Sequence, residues 1–267
     1  DVGEKAFYEA SAGGVDIIKD DELIGGDRVF NKIEDRVKAN MAAAKRAEEI
    51  KGEPTLYACN ITDDVTKLKE NAMKVINNGG NCIMVDVHGV GYSAVRALAE
   101  DPEITVPILG HSCFNGAFTY PLPGMSSKVV AKLARLAGCD IYLTQPPYGK
   151  FDNTFENYII NLITSKAKMY DIKPMLPFVG GGVVPGLFEF LDDAGIDVLL
   201  GVGAGIHAHP MGPQAGAKAF RAAIDACMND VPLREKAKEC KELEVSLEKW
   251  GLTAKTTPKI LRNLIYK

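Results

Sequence analysis

Seven short apolar runs, each followed by a stretch of helical periodicity, recur along the 267-residue chain, and this alternation restricts the fold more than any other feature. The runs occupy residues 15–19, 55–61, 82–88, 106–110, 140–145, 175–180 and 197–202. Helical patterns cover 29–51, 64–78, 93–100, 126–137, 154–168, 184–194 and 212–228. Short strands without strict polar alternation are buried on both faces. A helix after each one carries the chain back, so the next strand lies parallel to the last. Length and strand number favour an α/β barrel of the TIM (β/α)8 type over an open doubly wound sheet.

The count is one strand short, at the front. Glu4 to Ala12 reads as a helix, with Phe7, Tyr8 and Ala12 at helical spacing and Gly13-Gly14 ending it. The expectation is a first strand in an upstream segment. Residues 1–228 are expected to form the barrel, and 229–267 a charged helical extension packed outside it, through Leu233 to Trp250 and Thr257 to Tyr266.

Lys and Arg number 31 against 35 Asp and Glu, a net charge of −4 without a basic stripe, which argues against nucleic acid as the partner. No apolar run reaches membrane-spanning length and no leader-like sequence opens the chain, so a soluble, cytoplasmic protein with no membrane partner is expected. The six cysteines lie far apart without zinc-type spacing and are expected to be reduced and mainly buried.

In a barrel of this kind the residues after each strand share one rim. The first run ends in Lys19-Asp20-Asp21-Glu22, three carboxylates and an amine in four residues, which suits a hard cation such as Mg²⁺, although taken alone a solvated acidic loop is the plainer reading. Later runs end in Asn60, in Asp86 and His88, in His111, and before Tyr148-Gly149-Lys150. The last two deliver Gly180-Gly181-Gly182 and Gly201-Val202-Gly203-Ala204-Gly205. Glycine turns after the final two strands are a habitual phosphate site, where backbone amides meet the anion. His207-Ala208-His209 has zinc-type spacing, but His209-Pro210 reads as the turn before a helix, and His88 reads equally well as a structural histidine.

Together these residues resemble the large subunit of ribulose bisphosphate carboxylase and, more closely, the RuBisCO-like proteins. The resemblance rests on Gly14-Val15-Asp16-Ile17-Ile18-Lys19-Asp20-Asp21-Glu22, Gly110-His111-Ser112, Lys132 to Gly138, Tyr148-Gly149-Lys150, and His207 to Gly216, in that order along the barrel. It implies that Lys19 is carbamylated by CO₂ and, with Asp21 and Glu22, holds Mg²⁺, while Asp20 points elsewhere. It further implies that His111 faces the substrate, that Lys150 sits on a mobile loop, and that Gly181, Gly182, Gly203 and Ala204 bind a substrate phosphate. The family also carries an N-terminal α+β domain that this sequence lacks, and its sites are completed across a homodimer or higher even oligomer.

Departures favour a non-carboxylating branch. Ser112 replaces the arginine that follows the strand histidine in true carboxylases, Leu143 replaces a histidine, and Gly180 replaces a serine. Phe114-Asn115-Gly116-Ala117-Phe118 resembles the methionine-salvage enolase instead. The implied activity is Mg²⁺-dependent enolisation of a phosphorylated ketone, most simply 2,3-diketo-5-methylthiopentyl-1-phosphate. Alternatives are an isomerase acting on another sugar monophosphate through the same enolate chemistry, or a non-catalytic sugar-phosphate binding or assembly protein.

Overall fold

The computed structural model describes residues 2–119, 124–147, 153–187 and 197–252. After α1 (Val2–Ala12) come β1 (Ile17–Lys19), α2 (Ile33–Lys51), β2 (Leu56–Asn60), α3 (Leu68–Asn77) and β3 (Cys82–Asp86). Two short helices, α4 (Val87–Val90) and α5 (Tyr92–Ala99), lead to β4 (Ile108–His111), and α6 (Asn115–Thr119) and α7 (Ser127–Leu136) lead to β5 (Ile141–Thr144). Then follow α8 (Phe155–Lys166), β6 (Leu176–Gly180), β7 (Leu199–Gly201), α9 (Ala204–His207), α10 (Pro213–Met228), α11 (Leu233–Ala237) and α12 (Lys241–Trp250). The seven strands pair in chain order, every neighbour parallel, as a curled, open barrel. All seven expected strands are present, and the described residues show no pairing between β7 and β1.

Alternate strand residues face opposite ways, and both faces are covered. Ala58, Cys82, Met84, Leu109, Ile141 and Phe178 fill the concave side. Tyr57, Cys59, Ile83, Val85 and Tyr142 pack outward against Ile33, Val37, Val75, Val95 and Ala134 of the helical layer. Burial on both sides is why the strands read as continuous apolar runs. It also pushes the thiols of Cys59, Cys82 and Cys139 up to about 12. Iodoacetamide at pH 8 is accordingly expected to label no more than the three half-buried thiols, Cys113, Cys227 and Cys240, in the native chain, and all six after denaturation. Labelling of a fourth thiol without unfolding would contradict this core.

The helical layer spans the side where the sheet stays open. Gly13 abuts α10 so closely that a Cβ there would lie 2.5 Å from Ala217 Cβ and from the Gln214 carbonyl oxygen. Arg221 of α10 donates from Nε to the Gly14 carbonyl at 2.5 Å and pairs with Asp16. Over Leu233 to Trp250 the tail is helical in two pieces, because Leu233 and Leu243 are both buried against α10 and the chain re-aims at an extended Cys240 to bury each. Residues 257–266 and the later part of 184–194 lie outside the described residues. No described helix is long and apolar enough to cross a membrane.

Candidate active site at the carboxyl ends of the strands

Asp20 sets the geometry of the acidic run. Its backbone N–H still donates to Ala58, as in the β1–β2 ladder, but its side chain turns outward into the protein. There Oδ1 accepts from the Tyr57 hydroxyl at 2.6 Å, and Oδ2 accepts from Arg36 Nε at 3.1 Å and from the Asn60 N–H at 2.9 Å. Arg36 is itself buried and donates onward to the carbonyls of Asn60, Asn31 and Gly26. A carboxylate with only a tenth of its side chain exposed and three donors, one of them cationic, is an anchor. It also explains why the Tyr57 hydroxyl is held far above its usual range, by burial first and by the Asp20 charge second.

With Asp20 fixed outward, its neighbours project to the rim. Lys19 Nζ donates to the Asp20 carbonyl at 2.9 Å and lies 3.7 Å from Glu22 Oε2, with a quarter of its side chain exposed. The same Glu22 oxygen is 3.7 Å from His111 Nε2. The Asp21 carboxylate accepts the N–H of Leu23, at 2.9 Å, and stays open to solvent. Asn60 braces this loop, donating from Nδ2 to the carbonyls of Asp21 and Glu22 at 3.4 and 3.3 Å. Through Thr62, which donates to Asn60 Oδ1 at 2.6 Å and accepts the Asp86 N–H at 2.9 Å, the ends of β2 and β3 join the same network. Two carboxylates whose oxygens are not consumed by buried partners fit a hard cation, and the accessible Lys19 amine beside them would join the oxygen ligands only as a carbamate.

Gly180 and Gly201 pair across β6 and β7, so the two glycine turns leave adjacent strands at one level. Gly181 and Gly182 have φ of 121° and 80°, a left-handed path that only glycine takes readily. Gly203, at φ −103°, needs no such freedom, and a Cβ there would meet nothing within 4 Å, so glycine leaves open space before Ala204 starts α9. On the other flank of β6, a Cβ at Gly180 would stand 2.8 Å from Leu143 Cδ1. Leu143 and Gly180 are therefore a matched pair in contact.

Two histidines are structural. His88, which the sequence reading set at a strand end, lies in α4, stacked on Phe118 with centroids 4.7 Å apart and within 3.3 Å of the Tyr142 hydroxyl, and burial lowers its basicity. His209 is buried, with Nε2 against the Glu242 carbonyl at 3.0 Å and Nδ1 accepting from Met211 at 3.1 Å, which leaves no nitrogen for a metal. Lys150 lies outside the described residues. Asp86 and Cys113, not chosen from sequence as ligands, do join the site: Asp86 pairs in register with His111 as the last residue of β3 against the last of β4, and Oδ1 stands 3.3 Å from His111 Nδ1. Cys113 lies beside both, and its thiol is raised by burial and by the charges of Asp86, Glu22 and Asp21.

An amine, carboxylates and an imidazole at the first strands, with paired glycine turns at the last, define a parallel (β/α) barrel whose polar groups gather at the strand carboxyl ends. Residues 3–250 match the family of the ribulose bisphosphate carboxylase large chain, catalytic domain, and the chain belongs to that family. It is 46% identical over 243 residues, 90% of its length, to a ribulose bisphosphate carboxylase-like protein of Archaeoglobus fulgidus, and spans 55% of that protein. A 2,3-diketo-5-methylthiopentyl-1-phosphate enolase of Bacillus velezensis is 36% identical over 255 residues, 94% of this chain and 62% of the enolase. Among solved structures, the octameric ribulose-1,5-bisphosphate carboxylase/oxygenase of Pyrococcus horikoshii superposes with a TM-score of 0.88 at 36% identity, over 94% of this chain and 60% of that one. The chain thus covers less than two thirds of the length of these relatives.

Proposed function

We propose that the chain supplies the metal and phosphate half of an Mg²⁺-dependent enolase acting on a phosphorylated ketone, most simply 2,3-diketo-5-methylthiopentyl-1-phosphate. One observation carries the choice of substrate: where carboxylases place a histidine and a serine, Leu143 packs on Gly180, 2.8 Å from the position of a Cβ there. That replaces a polar, phosphate-holding corner by an apolar wall suited to a methylthio end. Ser112, in place of arginine, removes a second anion-binding group, which favours a monophosphate and disfavours CO₂ fixation.

In this reading Lys19, carbamylated, and the carboxylates of Asp21 and Glu22 hold Mg²⁺, which when bound supplies Lewis-acid polarisation of a carbonyl. His111 Nε2, beside Glu22, presents its proton to a substrate oxygen. The amides of Gly181, Gly182, Gly203 and Ala204 hold the phosphate, with the open space at Gly203 admitting it, and Lys150 is included as a further catalytic group on the family resemblance alone. A homodimer or higher even oligomer is part of the proposal, in keeping with the octameric relative.

The test follows ultraviolet absorbance for enol formation from the diketone phosphate by the full-length protein, in which the other half of the site is present, with Mg²⁺ and bicarbonate added. Turnover is expected, and Leu143→His with Gly180→Ser is expected to lower kcat/KM by about tenfold or more, the scale on which a mismatched apolar pocket discriminates. Turnover of a different sugar monophosphate instead would overturn the methylthio assignment. Fixation of CO₂ on ribulose bisphosphate would overturn the enolase reading itself.

A further inference from the structure

Phe114 is held in a conformation that its own packing does not justify. The chain leaves β4 through a turn closed by the Asn115 N–H on the Ser112 carbonyl at 3.0 Å, and Phe114, the third residue of that turn, has φ of 65°. This left-handed region suits glycine or asparagine and strains a bulky side chain. Burial does not offset the strain: the residue is 68% exposed and its ring meets no other aromatic among the described residues, whereas Phe118, four residues on, stacks on His88. Strain of this kind persists where function uses it. Position separates Phe114 from Tyr170, the other described aromatic with positive φ, which precedes β6 at the far end of the strands. Phe114 follows β4 on the rim, three residues after His111, and the N–H of Cys113 beside it donates to His111 Nδ1 at 3.2 Å. Gly110 pairs with Tyr142, so His111 stands level with Leu143 and the turn rises next to the wall that Leu143 forms with Gly180.

We propose that Phe114 determines specificity by laying its ring against the methylthio end of the substrate, as a second apolar surface beside Leu143; this rests on the enolase reading above. An exposed ring at the edge of a site loses its contact with water only when a ligand covers it, so its apolar area contributes to the complex and not to the fold. A thioether sulfur is a favourable neighbour for an aromatic ring, which makes the contact selective for sulfur over a shorter alkyl end.

Phe114→Gly in the full-length protein is the test. Glycine relaxes the turn, so the variant is expected to unfold at a urea concentration no lower than the parent does, while its KM for the methylthio diketone phosphate rises by about tenfold. For the analogue with hydrogen in place of the methylthio group, KM should change by less than about twofold, because the ring has nothing there to touch. Phe114→Tyr, which keeps the ring, should retain the parent KM for both. A lower unfolding midpoint in the glycine variant would make Phe114 a packing residue, and a changed oligomeric state would make it a subunit contact; either overturns the proposal. Equal rises of KM for the two substrates overturn it as well. Parent turnover with KM unchanged in the glycine variant overturns this contact alone, whereas no turnover of the diketone phosphate by the parent overturns the substrate assignment and the contact with it.

Discussion

Lys19→Ala is expected to abolish bicarbonate-dependent Mg²⁺ binding, lowering affinity by roughly a hundredfold or more, because even partners behind the ligands are worth about ten- to a hundredfold. The fold should hardly notice. Among the described residues Lys19 Nζ donates to the carbonyl of its own neighbour, and its ion pair with Glu22 is 3.7 Å long and partly exposed. Such pairs contribute about 0–1 kcal/mol. Calorimetric titration of Mg²⁺ with and without bicarbonate, beside a urea unfolding curve, separates the two effects. Affinity indifferent to bicarbonate in the parent, or unchanged in the variant, would end the carbamate reading while leaving Asp21 and Glu22 as ligands of an uncarbamylated site.

Asp20→Ala should do the reverse, leaving the rim carboxylates in place and costing stability of about 3–5 kcal/mol, the penalty for removing one partner of a buried pair. The variant strips the carboxylate partner from the Arg36 cation and orphans both the buried Tyr57 hydroxyl and the Asn60 N–H. Tyr57→Phe, which deletes a single hydrogen bond, should cost only about 1–1.5 kcal/mol. Asp21→Ala, one residue on and open to solvent, should fall within about 0.5 kcal/mol of the parent. Unfolding midpoints measure all three. Equal losses for Asp20 and Asp21 would show that the outward anchor is not what holds the β1 loop.

The contrast between these adjacent aspartates marks where sequence stops informing. Alternation along β1 says that neighbours point apart, yet it does not say which of the two is buried; that depends on Arg36 and Tyr57, which arrive from α2 and β2. Strand positions were legible because burial on both faces leaves apolar runs, and the strands from Ile17–Lys19 to Leu199–Gly201 fall within the stretches read except that β4 continues one residue past 110, to His111. Ends were less so. The run through Val87-His88 continues in composition beyond β3, but the backbone turns helical at Val87, placing His88 against Tyr142 and Phe118. Asp86 and His111 were visible as strand ends, but their contact depends on the register of β3 on β4, which composition does not encode. Cys113 carried no spacing signal, since its partners lie on another strand and two residues back.

The bond from Arg221 to Gly14 joins positions 207 residues apart. Sheet pairing, by contrast, proceeds neighbour by neighbour, each strand adding to the one before it. Closing so long a loop is entropically unfavourable until the intervening structure has shortened it, so this latch should engage late on the folding route. A late contact governs how long the native state lasts more than how fast it forms. Weakening Arg221 should therefore shorten the lifetime of the folded chain while leaving its rate of assembly nearly untouched.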